Sequence, residues 1–392
     1  MPAHEHHLDA VILGGGIAGL WTLDTLRRRG VHAVLLERAA LGQGQTLWSQ
    51  GIIHGGLKYT LSGLLNPAAQ AVRDMPDRWR ACLAGKAEPD LSRAKLRAPH
   101  CHLWRTESLS SKVAMIGAKV GLRVTPTTLH SGERPEALRH VPGTVARLEE
   151  QVIDVASVLS ALAARHAGRV WLAPRASVDR DDTRVRVTVD AAAPDAPVLL
   201  PRTLVLTAGA GNAMLRDRLG LQPNQTQVRP LHQVMMRGEL PELNGHCVDG
   251  SVTRVTITTA KDSAGRTVWQ VGGQLAEEGV HRTPEDLIAH AKRELAACLP
   301  GVDLSRAEWA TYRADRAEMK APGALRPDDA TLLVEGPVIS AWPTKLALAP
   351  RLADLVTERA MSAIGSAAVD QRLPEWEAAG VGAEPWEDQH AW

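Results

Sequence analysis

The chain has 392 residues, 44% hydrophobic and 23% charged, with a formal net charge of +1. That length holds two or more domains with ample core. The near-neutral balance leaves no electrostatic footprint for nucleic acid or an anionic membrane surface. The N-terminus runs directly into the first predicted strand, leaving no room for a signal peptide, and no apolar run approaches the ~20 residues of a membrane span. Cys82, Cys101, Cys247 and Cys298 are scattered without metal or redox spacing. They fit reduced thiols in a cytoplasmic protein.

In chain order, His4, His6 and His7 form a short cluster at a terminus expected to be disordered, suited to adventitious metal at most. Ala10–Leu13 then reads as a buried strand, and Gly14, Gly16 and Gly19 follow it in G-x-G-x-x-G spacing. Gly14 makes the tight turn, Gly16 lets backbone approach a pyrophosphate, and Gly19 lets the helix pack on the sheet. The helix carries an apolar stripe of Leu20, Leu23 and Leu26, basic residues Arg27–Arg29 in its last turn, and Gly30 as its stop. Val31–Leu36 is a parallel strand ending in Glu37. A carboxylate there accepts ribose hydroxyls and repels a 2′-phosphate, so the unit calls for FAD or NAD rather than NADP.

Leu91–Gly143 is less regular and rich in Arg, Pro, Ser and His. Val152–Arg165 has helical periodicity, and Val170–Leu172, Val185–Val189 and Thr203–Thr207 read as strands. Met235–Val271 alternates like strands with one solvated face, with a hairpin signal at Asp262–Gly265. Pro284–Leu299 is a predicted helix crossing that sheet. Ala330–Val334 and Val338–Ala341 are predicted strands before a helix from about Lys345 to Ala360. The tail from Leu373, with Trp376, Trp386 and Trp392, is expected to be loosely ordered. There is no phenylalanine and there are only two tyrosines, Tyr59 and Tyr312, so eleven tryptophans carry the aromatic packing. Serine hydrolase and zinc signatures are absent, and no metal site is expected.

The run Thr46–Thr60, TLWSQGIIHGGLKYT, narrows the nucleotide. It resembles the flavin-cradling segment of the D-amino-acid-oxidase-like FAD superfamily. Within it, Ile53–Tyr59 is most similar to FAD-dependent glycerol-3-phosphate dehydrogenases, and Ser49–His54 also resembles L-2-hydroxyglutarate dehydrogenases and oxidases. Leu204–Asn212 resembles the strand and glycine turn that approach the pyrophosphate from the other side. Tyr312–Arg316 resembles the segment that places an arginine over the flavin. Val338–Pro350 resembles the loop and helix start facing the flavin pyrimidine. The chain departs from the dehydrogenases in ending too soon for their extra helical C-terminal domain. It also carries Ala341-Trp342-Pro343-Thr344-Lys345 where many relatives have a glycine-rich turn. No cysteine lies near that loop to link a flavin.

The resemblance implies an α/β protein in which a Rossmann-like FAD-binding domain of the glutathione-reductase type (1–95, 150–225 and 330–392) is interleaved with an antiparallel-sheet α+β substrate domain (96–149 and 226–329). It implies FAD contacts from Gly14, Gly16, Ile17, Ala18, Gly19, Glu37 and Arg38, and from Thr46, Ser49, Gln50, Gly51, His54 and Gly55. Val152, Ala208, Gly209, Pro343, Thr344, Lys345 and Leu346 complete that set. The implied reaction is oxidation of a CH–OH bond of a small anionic substrate, glycerol 3-phosphate or a 2-hydroxy acid, by hydride transfer to flavin N5. An amino acid or secondary amine oxidase, and a flavin-bound redox subunit working with a protein partner, remain alternatives. The electron acceptor is open among oxygen, a quinone and a protein.

His54 is the candidate base, or a flavin-ring contact, because imidazole accepts a proton at neutral pH; the other reading is a buried, hydrogen-bonded histidine. Arg313 either pairs with a substrate carboxylate or phosphate or is solvated among Asp315, Arg316 and Glu318. Lys58 supplies a point charge to the same anion or sits at the surface. Lys345 either stabilises a reduced anionic flavin or faces solvent in a first helical turn. Tyr312 orients substrate or packs, and His232 is a strand histidine facing the second domain.

Overall fold

The computed structural model describes residues 5–55, 71–106, 126–181, 184–193, 195–250, 252–321, 323, 326–365 and 373–392. The opening strand, Glu5–Leu13, is apolar without alternation from Ala10 onward because it is covered on both faces. It lies between Ala33–Glu37 and Val198–Leu206, parallel to both, with Ile12 opposite Leu35 and Val205. Val170–Leu172 and Val338–Trp342 extend the parallel set on either side. Thr331–Glu335 adds an antiparallel edge to Val338–Trp342, and the hairpin of Ser177–Arg180 with Val185–Thr188 pairs antiparallel with the start of Val198–Leu206. His6 and His7 belong to the opening strand, opposite Leu199 and Leu200, so this part of the expected disordered terminus is paired backbone.

The helix Ile17–Arg28 buries Leu20, Trp21, Leu23 and Leu26 against the helices Ala349–Ile364 and Val155–Ala164. The second of these starts later than its periodicity predicts. Asp154 is extended and caps it by accepting from the Ser157 N–H at 2.9 Å. The preceding Gln151–Ile153 is therefore a strand, paired with Ile52–Ile53 and Leu96–Ala98. The last helix also begins late, at Ala349, with Pro350 in its first turn and a 3-10 turn Leu346–Leu348 before it.

Among the described residues the second sheet has eight strands and is antiparallel apart from the pairing of Gly245–Asp249 with Cys101–Arg105. Its alternation is the key to the site. Val234, Met236, Val255, Ile257, Trp269 and Val271 face the helix Pro284–Cys298, which buries Leu287, Ala291, Leu295 and Cys298 at helical spacing. Their neighbours Gln233, Thr256, Thr258 and Gln270 are also buried, and the alternation of strand side chains puts them on the opposite face.

The C-terminal tail is ordered, contrary to expectation. Ala378 bridges Trp171, Val381 bridges Leu41, and Trp386 is fully buried with Met235, Val268 and Ala310. The guanidinium of Arg97 lies 5.1 Å from the Trp386 ring centre and pairs with Glu384. Large aromatic anchors, rather than periodicity, hold this segment. No helix among the described residues is long and apolar enough to cross a membrane.

Candidate active site

A cavity of about 1060 Å³ opens where the parallel strands end, lined by Leu13, Glu37, Thr207 and Trp342. This is the crevice in which open α/β sheets bind ligands. Gly14 turns the chain with a φ of 110°, and a Cβ there would sit 2.6 Å from the Ala208 backbone. Gly19 does not reach the cavity; a Cβ on it would meet the Gly14 carbonyl at 2.0 Å, so it permits the helix to seat on the turn. Gly16, Ile17 and Ala18 present the helix N-terminus to the cavity, and Thr46 accepts from the Ile17 N–H at 3.4 Å. Glu37 accepts from the N–H groups of Gly15 (2.6 Å) and Ala39 (2.9 Å), which holds its carboxylate on the wall beside Arg38. Opposite, Ala208 and Gly209 close the turn. Asn212 fastens it by accepting from the Ala208 N–H and donating to the carbonyls of Leu206 and Ala341.

The middle of the cavity joins the two sheets. Ser49, Gln50 and Gly51 line it, and Gln50 Nε2 donates to the carbonyls of Thr256 (2.9 Å) and Gln270 (3.0 Å). Tyr312 lies off the wall. Its hydroxyl accepts from Gln270 at 2.7 Å and donates to the Trp48 carbonyl, and burial pushes the phenol well up. Pro343, Thr344, Lys345 and Leu346 line the facing side. Thr344 makes a left-handed turn at a φ of 63°, a conformation that favours glycine. Its hydroxyl donates to the Asp329 carbonyl and Arg326 donates to the Thr344 carbonyl, which together hold the strained backbone. Lys345 is buried, not solvent-facing, and its Nζ donates to the Asp328 carbonyl at 3.2 Å.

At the far end, His54 lines the wall with Glu150 behind it. Glu150 Oε2 is 3.5 Å from His54 Nδ1 and 3.5 Å from His246 Nε2, and the imidazole centres are 5.6 Å apart. Glu150 Oε1 accepts from the Gly55 N–H at 2.8 Å, so Gly55 fixes the carboxylate instead of lining the cavity. His246 Nδ1 is 2.9 Å from the Thr256 hydroxyl. Burial pushes the Glu150 carboxyl up, but hydrogen bonds and charge from His246 and His54 hold it well below the usual carboxylate range.

The remaining candidates divide. Arg313 stands at the exposed rim with both terminal nitrogens near the Val280 carbonyl, at 3.3 and 3.4 Å. Arg316, three residues on, is the more enclosed cation on the wall. Burial and the neighbouring Arg326 and Arg229 lower its pKa to about 10, partly offset by Glu318 and Glu277. His232 lies off the cavity against the Gly279 carbonyl, and burial lowers its pKa. Val152 is also off the cavity, in the strand paired with Ile52; Ala173, Ala176 and Val178 line the wall near Glu37 instead. Lys58 lies outside the described residues. Arg316 on the cavity wall and, behind His54, Glu150 and His246 are candidates that no sequence motif points to.

Fold and cavity define a dinucleotide-binding oxidoreductase with a substrate sheet over the end of its nucleotide crevice. The chain belongs to the FAD dependent oxidoreductase family, whose profile matches residues 9–339. It is an enzyme with FAD as cofactor. The FAD-dependent oxidoreductase PA4991 of Pseudomonas aeruginosa is 42% identical over 356 residues, 90% of each chain. Its crystal structure matches the full length of both chains with a TM-score of 0.84 at 37% identity. The crystal structure of glycine oxidase from Geobacillus kaustophilus shares the fold, with a TM-score of 0.66 at 18% identity over 95% of this chain and 98% of that one. Glycerol-3-phosphate dehydrogenase 1 of Mycobacterium tuberculosis is 39% identical, but over 56 residues, 14% of this chain and 11% of that protein. The expected kinship to that dehydrogenase thus narrows to a short segment, whereas the likeness to PA4991 runs the whole length. The residues present fit FAD: a Cβ-free turn packed against Ala208, an acid held beside the helix start, and a long cavity spanning both sheets.

Proposed function

We propose that the enzyme oxidises a CH–OH bond of a small anionic substrate of the glycerol-phosphate or 2-hydroxy-acid type. The observation that carries this is His54 on the cavity wall with its Nδ1 3.5 Å from the buried Glu150 carboxylate. Alcohol oxidation must dispose of a hydroxyl proton, whereas a neutral amine can lose hydride without one. A carboxylate-backed imidazole suits the first task. Bound FAD supplies the ring that accepts the hydride.

The chain does the rest. Gly14–Ala18, Thr46, Ala208 and Gly209 take the pyrophosphate region, Glu37 the ribose, and Gln50, Gly51 and Pro343–Leu346 the ring. His54 takes the substrate proton on the ring edge away from Nδ1. Glu150 stabilises the imidazolium that forms, as an orienting acid does in other carboxylate–histidine pairs. Arg316 on the wall and Arg313 at the rim supply the positive charge that draws the substrate anion into the cavity.

The amine reading keeps the fold and is the activity that glycine oxidase's name carries. An anaerobic absorption titration separates the two. The flavin-loaded protein is challenged with glycerol 3-phosphate, L-2-hydroxyglutarate, L-lactate and a panel of amino acids. Bleaching by an anionic alcohol is expected. Bleaching by amino acids and by none of the alcohols would overturn the proposal.

A further inference from the structure

The three side chains at the far end of the cavity have the geometry of a metal site. His54 Nδ1 and His246 Nε2 each lie 3.5 Å from the same oxygen of Glu150, and the three ligand atoms are within 4.8 Å of one another. Two ligands ~2.1 Å from a tetrahedral ion subtend about 3.4 Å, so the two measured gaps need almost no closing. The surroundings orient the same atoms. The Gly55 N–H occupies Oε1 and leaves Oε2 turned to the histidines, and the Thr256 hydroxyl holds the other edge of the His246 ring. Side-chain exposures of 16%, 7% and 1% for His54, Glu150 and His246 keep bulk water from competing. Two imidazoles and one carboxylate favour zinc, copper or nickel over magnesium or calcium.

We propose that His54, Glu150 and His246 bind one divalent ion of the zinc class behind the cavity wall, and that this ion blocks proton acceptance by His54. The blocking clause rests on the base role given above. An imidazole that ligates through Nδ1 while neutral carries its single proton on Nε2. The edge of His54 turned to the cavity then donates and cannot accept.

The test is a calorimetric titration of the flavin-loaded full chain with zinc chloride, with the visible flavin spectrum as the check on folding. One ion per chain is expected, with affinity reduced ~10-fold or more in His246→Gln and in Glu150→Gln. A variant with His4, His6 and His7 replaced by alanine should bind as the parent does, which separates this site from the terminal cluster. X-ray absorption at the zinc edge of the parent protein should show imidazole ligands even if a variant fails to fold. No stoichiometric zinc, or binding unchanged in both variants and lost on removing the terminal histidines, would overturn the site. Zinc bound at full stoichiometry with substrate still bleaching the flavin at the parent rate would overturn the blocking clause. No zinc, with His54→Gln still slowing flavin reduction, would leave the base reading standing and remove the metal.

Discussion

The two ends of the cavity are built on opposite plans. The nucleotide end is mostly backbone: Gly14–Ala18 at a helix start, Ala208 and Gly209 across from it, and one acid, Glu37, held by its own neighbours' N–H groups. The histidine end is mostly side chain, drawn from three distant positions, His54, Glu150 and His246, that meet where two sheets face each other. A dinucleotide recognised through backbone needs glycines at fixed local spacing. Proton chemistry needs imidazole and carboxylate at bonding distance, which tertiary packing supplies from anywhere in the chain. The first end should therefore fail through cofactor loss, and the second through rate with the cofactor retained.

Gly14→Val should give the largest effect. Its positive φ and the 2.6 Å approach to Ala208 leave no room for a side chain. The protein should purify without flavin, read as the loss of visible absorbance. A yellow Gly14→Val protein would break the comparison. Trp386→Ala removes a fully buried indole from beneath the substrate sheet and should cost about 3–5 kcal/mol in denaturant unfolding. A loss under ~1 kcal/mol would mean the tail is not part of the core.

Glu150→Gln is the sharper probe of the histidine end. Flavin content should be unchanged, while flavin reduction by substrate should slow ~10-fold or more, since the imidazolium loses its counter-charge. Loss of flavin instead would show that the two ends are not separable.

A smaller stability effect than that at Trp386 is expected at Asp24, which lies fully buried on the nucleotide-side helix. Burial raises its carboxyl, but His166, Arg28 and Arg165 pull it down to about 2 from 3.8. Because the folded value is depressed, the stabilisation is fully present above about pH 4 and is lost as pH falls through about 2. Asp24→Asn should cost about 2 kcal/mol at neutral pH and almost nothing near pH 2. A constant penalty across that range would place the effect in packing rather than charge.

The same contrast explains what could be read in the sequence. The opening unit was legible from Asp9 to Glu37 because strand, turn, helix and acid are contiguous, and His54 was legible because it stands beside the cradle. Glu150 was not, since it sits in a run of Glu149, Glu150 and Gln151 that looks like solvated polarity. His246 was hidden the same way, one residue inside a short strand. Arg316 is harder to read than Arg313, because nothing in YRADR shows that the strand breaks at Ala314 and Asp315 and restarts with Arg316 beside Arg229. Val152 reads as the start of a helix because an apolar period continues through Asp154, the residue whose capping bond begins the helix three residues later than that period implies. The tail carries no readable period, because its tryptophan anchors are set in an alanine- and glutamate-rich stretch at neither helical nor strand spacing.

The most direct test of the central claim is the rapid-mixing rate of anaerobic flavin reduction in the parent protein and in His54→Gln, each with full flavin content and the same anionic alcohol. The account predicts a rate lowered ~10²-fold in the variant, with the flavin spectrum unchanged before mixing. Equal rates in the two proteins would contradict it and remove His54 as the proton acceptor.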